Sequence, residues 1–114
     1  GIDPEQRYEV LSRDTIKDWD WRRKGQGESG FTSTSPDLAR ALRRNPNLKV
    51  LAASGRYDLG TPYSASDWSL AQLDAPADVL ARVQHRYYDA GHMMYTRQAD
   101  LLQLKADLAA WLAS

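Results

Sequence analysis

The apolar positions of the chain change their spacing near residue 35, and this change divides the sequence into two parts. Residues 1–35 are mostly polar and include Gly25, Gly27 and Gly30; one short helix is predicted, from a cap at Ser12 to about Trp19. From residue 36 onward, apolar residues recur at helix or strand spacing. The pattern predicts an irregular lead-in over 1–35 and an α/β part over 36–114.

Five elements are predicted in the second part. A cap at Ser35 followed by proline predicts a helix over about 36–44. The apolar run at about 48–54 is short enough for a buried strand, and Thr61-Pro62 opens a second helix over about 62–73. A Val- and Tyr-rich alternating run predicts a strand at about 82–88, and a leucine stripe predicts a helix over about 98–112 (Leu101, Leu104, Leu108 and Leu112). Helices alternating with strands indicate a parallel sheet.

The composition of the chain limits the partners and the kinds of reactive or metal-binding site that can be expected. Lys plus Arg and Asp plus Glu both number 15, which removes the electrostatic reason to expect nucleic acid or an anionic membrane as partner. The chain has no cysteine, so disulfides, thiolate chemistry and cysteine-based zinc sites are excluded. A metal site built on His85 and His92 would need a third ligand of suitable geometry. We expect neither a metal nor another cofactor, and His85, within a predicted strand, is interpreted as structural.

A residue of catalytic type follows each predicted strand: Asp58 the first, His92 the second. The carboxyl ends of parallel strands share one edge of a sheet, so we expect the two side chains to meet there. A carboxylate bonded to one ring nitrogen fixes the imidazole tautomer and prepares the other nitrogen to take a proton. No G-x-S-x-G string supplies a serine nucleophile, and Ser54 lies within a predicted strand. An acid followed by a histidine nevertheless matches the order of these residues in α/β-hydrolases.

Two segments of the chain form a recognisable pattern: Leu-Lys-Val-Leu-Ala-Ala-Ser-Gly-Arg-Tyr-Asp-Leu-Gly-Thr-Pro at 48–62, and residues 88–95. With these segments, and less specifically with positions 8–11 and 19–21, the chain resembles the C-terminal part of bacterial serine carboxypeptidases of the S10 peptidase family, which have the α/β-hydrolase fold. The resemblance implies that Asp58 is the triad acid, His92 the general base and Met93 a neighbour of the substrate's C-terminal residue. It also implies removal of C-terminal residues from peptides by acyl transfer to serine, in the periplasm or outside the cell.

The nucleophile, the oxyanion hole and the groups that bind the terminal carboxylate lie upstream in that family. We therefore expect this chain to be inactive alone and to be completed by an upstream segment of the same protein that carries the serine. Two alternatives stay open: a fragment of another α/β-hydrolase, such as an esterase or aminopeptidase, and a small non-catalytic α/β interaction module. Because two strands leave bare sheet edges, the isolated chain is also expected to self-associate through strand addition or exchange.

Overall fold

The computed structural model describes residues 5, 9–22 and 32–114 of the chain. The glycine-containing stretch 23–31 and Tyr8, which belong to the predicted lead-in segment, lie outside the described residues. Residues Gly1–Ser33 form one compact unit and Thr34–Ser114 a second one. In the first unit, helix α1 spans Arg13–Asp18 and begins where the Ser12 hydroxyl accepts a hydrogen bond from the Thr15 N–H.

The second unit contains two strands and most of the helices. Its elements run in the order α2 (Ser35–Arg44), β1 (Val50–Gly55), α3 (Tyr63–Ala71), α4 (Ala77–Leu80), β2 (Val83–Tyr88), a 3₁₀ turn (Met94–Thr96) and α5 (Gln98–Ala113). Strands β1 and β2 are parallel, with Val50 opposite Val83 and Gly55 opposite Tyr88. The predicted mixture of helices with a parallel sheet is confirmed. The described sheet has two strands, which is narrower than the hydrolase sheet that the resemblance implies.

Alternate residues of the two strands point to opposite faces, and each face has its own core. On one face, Ala39, Leu42 and Leu73 are buried, and Val50 and Val83 pack against them together with leucines of α2, α3 and α4. On the other face, Tyr88, Ala90 and Met94 are buried, and Leu104 of α5 packs against them. The sheet therefore lies between two helical layers, as a parallel sheet requires.

Arg82 joins the end of α2 to the start of β2. Its guanidinium donates to the carbonyl oxygens of Leu42, Asn45 and Leu48 at 2.6 to 3.1 Å. The last carbonyl groups of a helix have no partner within it, so a cation that donates to them stabilises the helix end. This contact ties the residue before β2 to the end of α2 and to the segment that leads into β1.

The apolar stripe of α5 is less buried than the sequence pattern predicts. Leu101, Leu108 and Leu112 are 40%, 42% and 67% exposed, whereas Leu104 packs against the second core. The reason is geometric: two strands present a surface too narrow to cover a 16-residue helix along its length. Among the described residues, no helix has the length and apolar character needed to cross a bilayer.

Candidate acid–base site at the carboxyl end of the sheet

Backbone hydrogen bonds join the loops that follow β1 and β2. The Arg56 N–H donates to the Tyr88 carbonyl oxygen at 2.9 Å, and the Tyr57 N–H donates to that of Ala90 at 3.0 Å. Gly55 allows this close approach, because a Cβ atom there would lie 2.5 Å from the Ala90 oxygen and 2.2 Å from the Gly91 oxygen. The two loops are therefore held side by side at the edge where parallel sheets carry their sites.

Asp58 lies in the first of these loops and is almost fully buried, with 7% of its side chain exposed. Its Oδ1 accepts hydrogen bonds from the N–H groups of Gly60 and Thr61, both at 2.9 Å. Its Oδ2 accepts from the Thr61 hydroxyl at 2.6 Å and lies 2.8 Å from the Nδ1 atom of His92. The Thr61 hydroxyl is the largest of these influences, and together they hold the pKa of Asp58 well below the usual 3.8. The carboxylate is therefore ionised at neutral pH.

The partner His92 lies in the second loop and exposes 71% of its side chain. An ionised carboxylate only accepts hydrogen bonds, so Nδ1 must be the ring nitrogen that carries the proton in this contact. In the neutral ring, Nε2 is then the basic nitrogen. No hydrogen bond among the described residues involves Nε2. The arrangement is thus an imidazole oriented by a buried carboxylate, with its basic nitrogen on an exposed ring.

A second carboxylate, Asp100, holds the His92 loop from the other side. Asp100 is 6% exposed, accepts from the Asp89 N–H at 3.1 Å and binds the Arg97 guanidinium at 2.7 Å. Arg97 also donates to the Asp89 carbonyl oxygen at 2.8 Å. Asp89, which begins the loop that carries His92, is therefore tied to Arg97 and to the first turn of α5. The sequence analysis did not single out Asp100, although an acidic residue in the first turn of a helix is a recognisable signal.

Met93, the third predicted site residue, is next to His92 in the chain and is 55% exposed. Its neighbour Met94 is 9% exposed and belongs to the core beneath α5. The loop thus presents one methionine at the surface and buries the other. This exposure leaves Met93 accessible to a ligand at His92.

The structure contains a second Asp–His pair that the sequence analysis missed. His85 Nδ1 lies 2.8 Å from Oδ1 of Asp67, and its Nε2 lies 2.8 Å from the Ser54 hydroxyl. The Tyr87 hydroxyl donates to the same Asp67 oxygen at 2.5 Å. The connectivity is that of a Ser–His–Asp triad. However, only 8% of the His85 side chain is exposed, and both of its ring nitrogens are occupied, so the network joins α3 to the sheet.

A pocket of about 470 Å³ lies between α2, β1 and α3, and Gly60 and Thr61 form part of its wall. The remaining lining residues are small, aliphatic or hydroxyl-bearing, and none is charged. Such a lining offers no cation for a substrate carboxylate. Within residues 5, 9–22 and 32–114, no group of three or more His, Asp or Glu side chains could hold a metal ion.

Comparisons with known proteins identify no relative of this chain. No protein-family model, no curated protein and no solved structure matches the chain. The interpretation of the site therefore depends on its own geometry and chemistry.

Proposed function

We propose that this chain supplies the acid and the general base of a serine-hydrolase catalytic triad. The observation that carries the proposal is the 2.8 Å contact between Asp58 Oδ2 and His92 Nδ1, with the carboxylate buried and the imidazole exposed. A general base must keep one nitrogen free to meet the proton that it takes. This pair has that property, whereas His85 does not.

In the proposed reaction, a serine hydroxyl attacks the carbonyl carbon of the substrate and gives its proton to His92 Nε2. Asp58 stays ionised and stabilises the imidazolium, as its lowered pKa favours. The proton then passes from Nε2 to the leaving amine. A water molecule then attacks the acyl carbon and gives a proton to Nε2; the ester bond breaks, the acid is released, and Nε2 returns the proton to the serine oxygen.

We further propose that the reaction is the serine carboxypeptidase reaction, in which a peptide loses its C-terminal residue. The support for this step is the resemblance of 48–62 and 88–95 to the S10 peptidase family. In this proposal the serine and the oxyanion hole come from an upstream segment of the same protein. The groups that bind the substrate carboxylate come from the same upstream segment. Met93 would contact the C-terminal residue of the peptide.

Two matched samples test the proposal: the 114-residue chain, and a longer polypeptide in which a serine elbow precedes the same sequence. A fluorophosphonate probe should label the longer protein at that serine and should not label the chain. Peptides with a free C-terminal carboxylate should be hydrolysed, and the same peptides with an amidated C-terminus should not. Cleavage of simple esters or of N-terminal residues, without need for the carboxylate, would favour an esterase or aminopeptidase. Absence of both labelling and hydrolysis would contradict a hydrolase role.

A further inference from the structure

Thr61 provides two of the four hydrogen bonds that surround the Asp58 carboxylate. Its N–H bonds to Oδ1 at 2.9 Å and its hydroxyl bonds to Oδ2 at 2.6 Å. The two bonds have different consequences. The bond from the N–H, with that from the Gly60 N–H, is made to Oδ1 and closes the turn. The bond from the hydroxyl reaches the oxygen that contacts His92.

We propose that Thr61 is a positioning residue whose hydroxyl directs Asp58 Oδ2 toward His92 Nδ1 and thereby holds the imidazole in its Nδ1–H tautomer. The hydroxyl oxygen lies 3.3 Å from His92 Nδ1, so it is close to both partners of the Asp58–His92 contact. Because its proton is donated to Asp58, a lone pair is available to face the Nδ1–H group. The hydroxyl therefore donates to Asp58 and offers a lone pair to His92, the two partners of the contact.

The local chain keeps this hydroxyl in place. Pro62 follows Thr61 directly and has φ −57° at the cap of α3, and a residue before proline is restricted to extended conformations. Threonine is β-branched, which limits its χ1 rotation. A stiff side chain on a restricted backbone can hold a carboxylate with little loss of entropy. These features distinguish Thr61 from an exposed hydroxyl that makes an incidental contact.

The test compares two substitutions in the 114-residue chain. Thr61→Val keeps the backbone N–H and the branched shape but removes the hydroxyl, whereas Thr61→Ser keeps the hydroxyl. The tautomer of each histidine is read from its imidazole ¹⁵N chemical shifts above the pH at which the ring is protonated. His85, which is bonded to other groups, serves as internal reference in every sample.

We expect Thr61→Val to raise the ratio of the Nε2–H to the Nδ1–H tautomer of His92 by about tenfold or more, the effect of losing one hydrogen bond to a charged group. Thr61→Ser should leave the ratio close to that of the natural sequence, and His85 should be unchanged in both. Thr61→Ala is the second variant if the valine side chain disturbs the fold, and it should shift the ratio in the same direction. An unchanged ratio in the valine and alanine variants, or an equal shift in the serine variant, would overturn the proposal.

The catalytic consequence rests on the proposed function, and the two can fail separately. In the proposed serine-bearing protein, Thr61→Val should lower kcat about tenfold with little change in KM. Thr61→Ser, which keeps the hydroxyl, should retain most of the natural rate. A tautomer shift in a protein that hydrolyses nothing would leave the positioning role intact and remove the hydrolase role. An active protein in which Thr61→Val leaves the His92 tautomer unchanged would support the hydrolase role and contradict the positioning role.

Discussion

The second unit contains two Asp–His pairs with equal contact distances and opposite burial. Asp58 and His92 are 2.8 Å apart, with the carboxylate 7% and the imidazole 71% exposed. Asp67 and His85 are also 2.8 Å apart, but here the carboxylate is 43% and the imidazole 8% exposed. The short contact alone does not distinguish a site from a structural link. The surroundings of the second ring nitrogen make that distinction.

At His85, the second nitrogen is bonded to Ser54, and the Asp67 carboxylate is shared with Tyr87. Both ring nitrogens of the buried His85 thus have partners, as buried polar groups require. At His92, Nε2 has no partner among the described residues and the ring is exposed. The first arrangement stabilises the packing of α3 on the sheet, and the second leaves a basic nitrogen for an incoming proton.

The largest expected difference between the pairs is in catalysis. In the proposed serine-bearing hydrolase, His92→Ala should lower kcat/KM by about 10³-fold or more, because the proposed general base is lost. The imidazole is exposed and Asp58 keeps three other hydrogen bonds, so the denaturation midpoint of the protein should fall only slightly. Steady-state kinetics and urea denaturation on the same preparation separate the two effects. Retention of most of the activity would contradict the assignment of His92 as the base.

The second difference is in stability and concerns His85. We expect His85→Ala to lower the free energy of unfolding of the 114-residue chain by about 2 kcal/mol, since Ser54 and Asp67 lose their shared partner and a cavity forms. His92→Ala should lower it by less, because the Asp58 carboxylate keeps its three hydrogen bonds from Gly60 and Thr61. Urea titrations followed by circular dichroism provide both values. Equal effects of the two substitutions would show that the burial difference has no energetic consequence.

The smallest difference is in the acid dependence of stability. The Thr61 hydroxyl and the other hydrogen bonds lower the pKa of Asp58, so its folded-state pKa lies below its value in the unfolded chain. A carboxyl group of this kind stabilises the fold fully above the unfolded pKa of about 4, and the contribution decreases as the pH falls below that value. The natural chain should therefore lose stability more steeply than Asp58→Asn between about pH 5 and pH 3.

Asp67→Asn provides the matched control for this measurement. The Tyr87 hydroxyl and His85 lower the pKa of Asp67 as well. Because Asp67 is partly exposed, solvent screens its interactions and the change in slope should be smaller. Urea midpoints of the natural chain, Asp58→Asn and Asp67→Asn, each measured at about pH 5 and about pH 3, show which substitution changes the acid dependence more. A steeper loss in Asp58→Asn than in the natural chain would contradict the direction of the pKa change.

Much of the second unit was predictable, because local signals coincide with the elements there. Strand β1 is a short apolar run that ends at Gly55, and α2 begins with serine and proline. The meeting of Asp58 and His92 was predictable for a topological reason, since each follows a parallel strand at the same edge. No comparable rule applies to the second pair.

The roles that the sequence analysis missed depend on how helices are rotated and docked. Asp67 lies within α3, and only the packing of that helix brings it to His85. The exposure of the leucines on α5 likewise depends on how much sheet lies beneath them. Thr61 is one residue before a predicted helix, and its contact with His92 joins positions 31 residues apart. Periodicity along the chain contains no information on these contacts.

The most direct measurement of the central claim is the imidazole ¹⁵N spectrum of the 114-residue chain with each aspartate replaced in turn. Our account predicts that His92 is in the Nδ1–H tautomer with Nε2 unprotonated, and that Asp58→Asn changes this signal while Asp67→Asn does not. His85 should respond to Asp67→Asn alone. A His92 signal that is insensitive to Asp58→Asn would show that the carboxylate does not orient the imidazole, and would contradict the account.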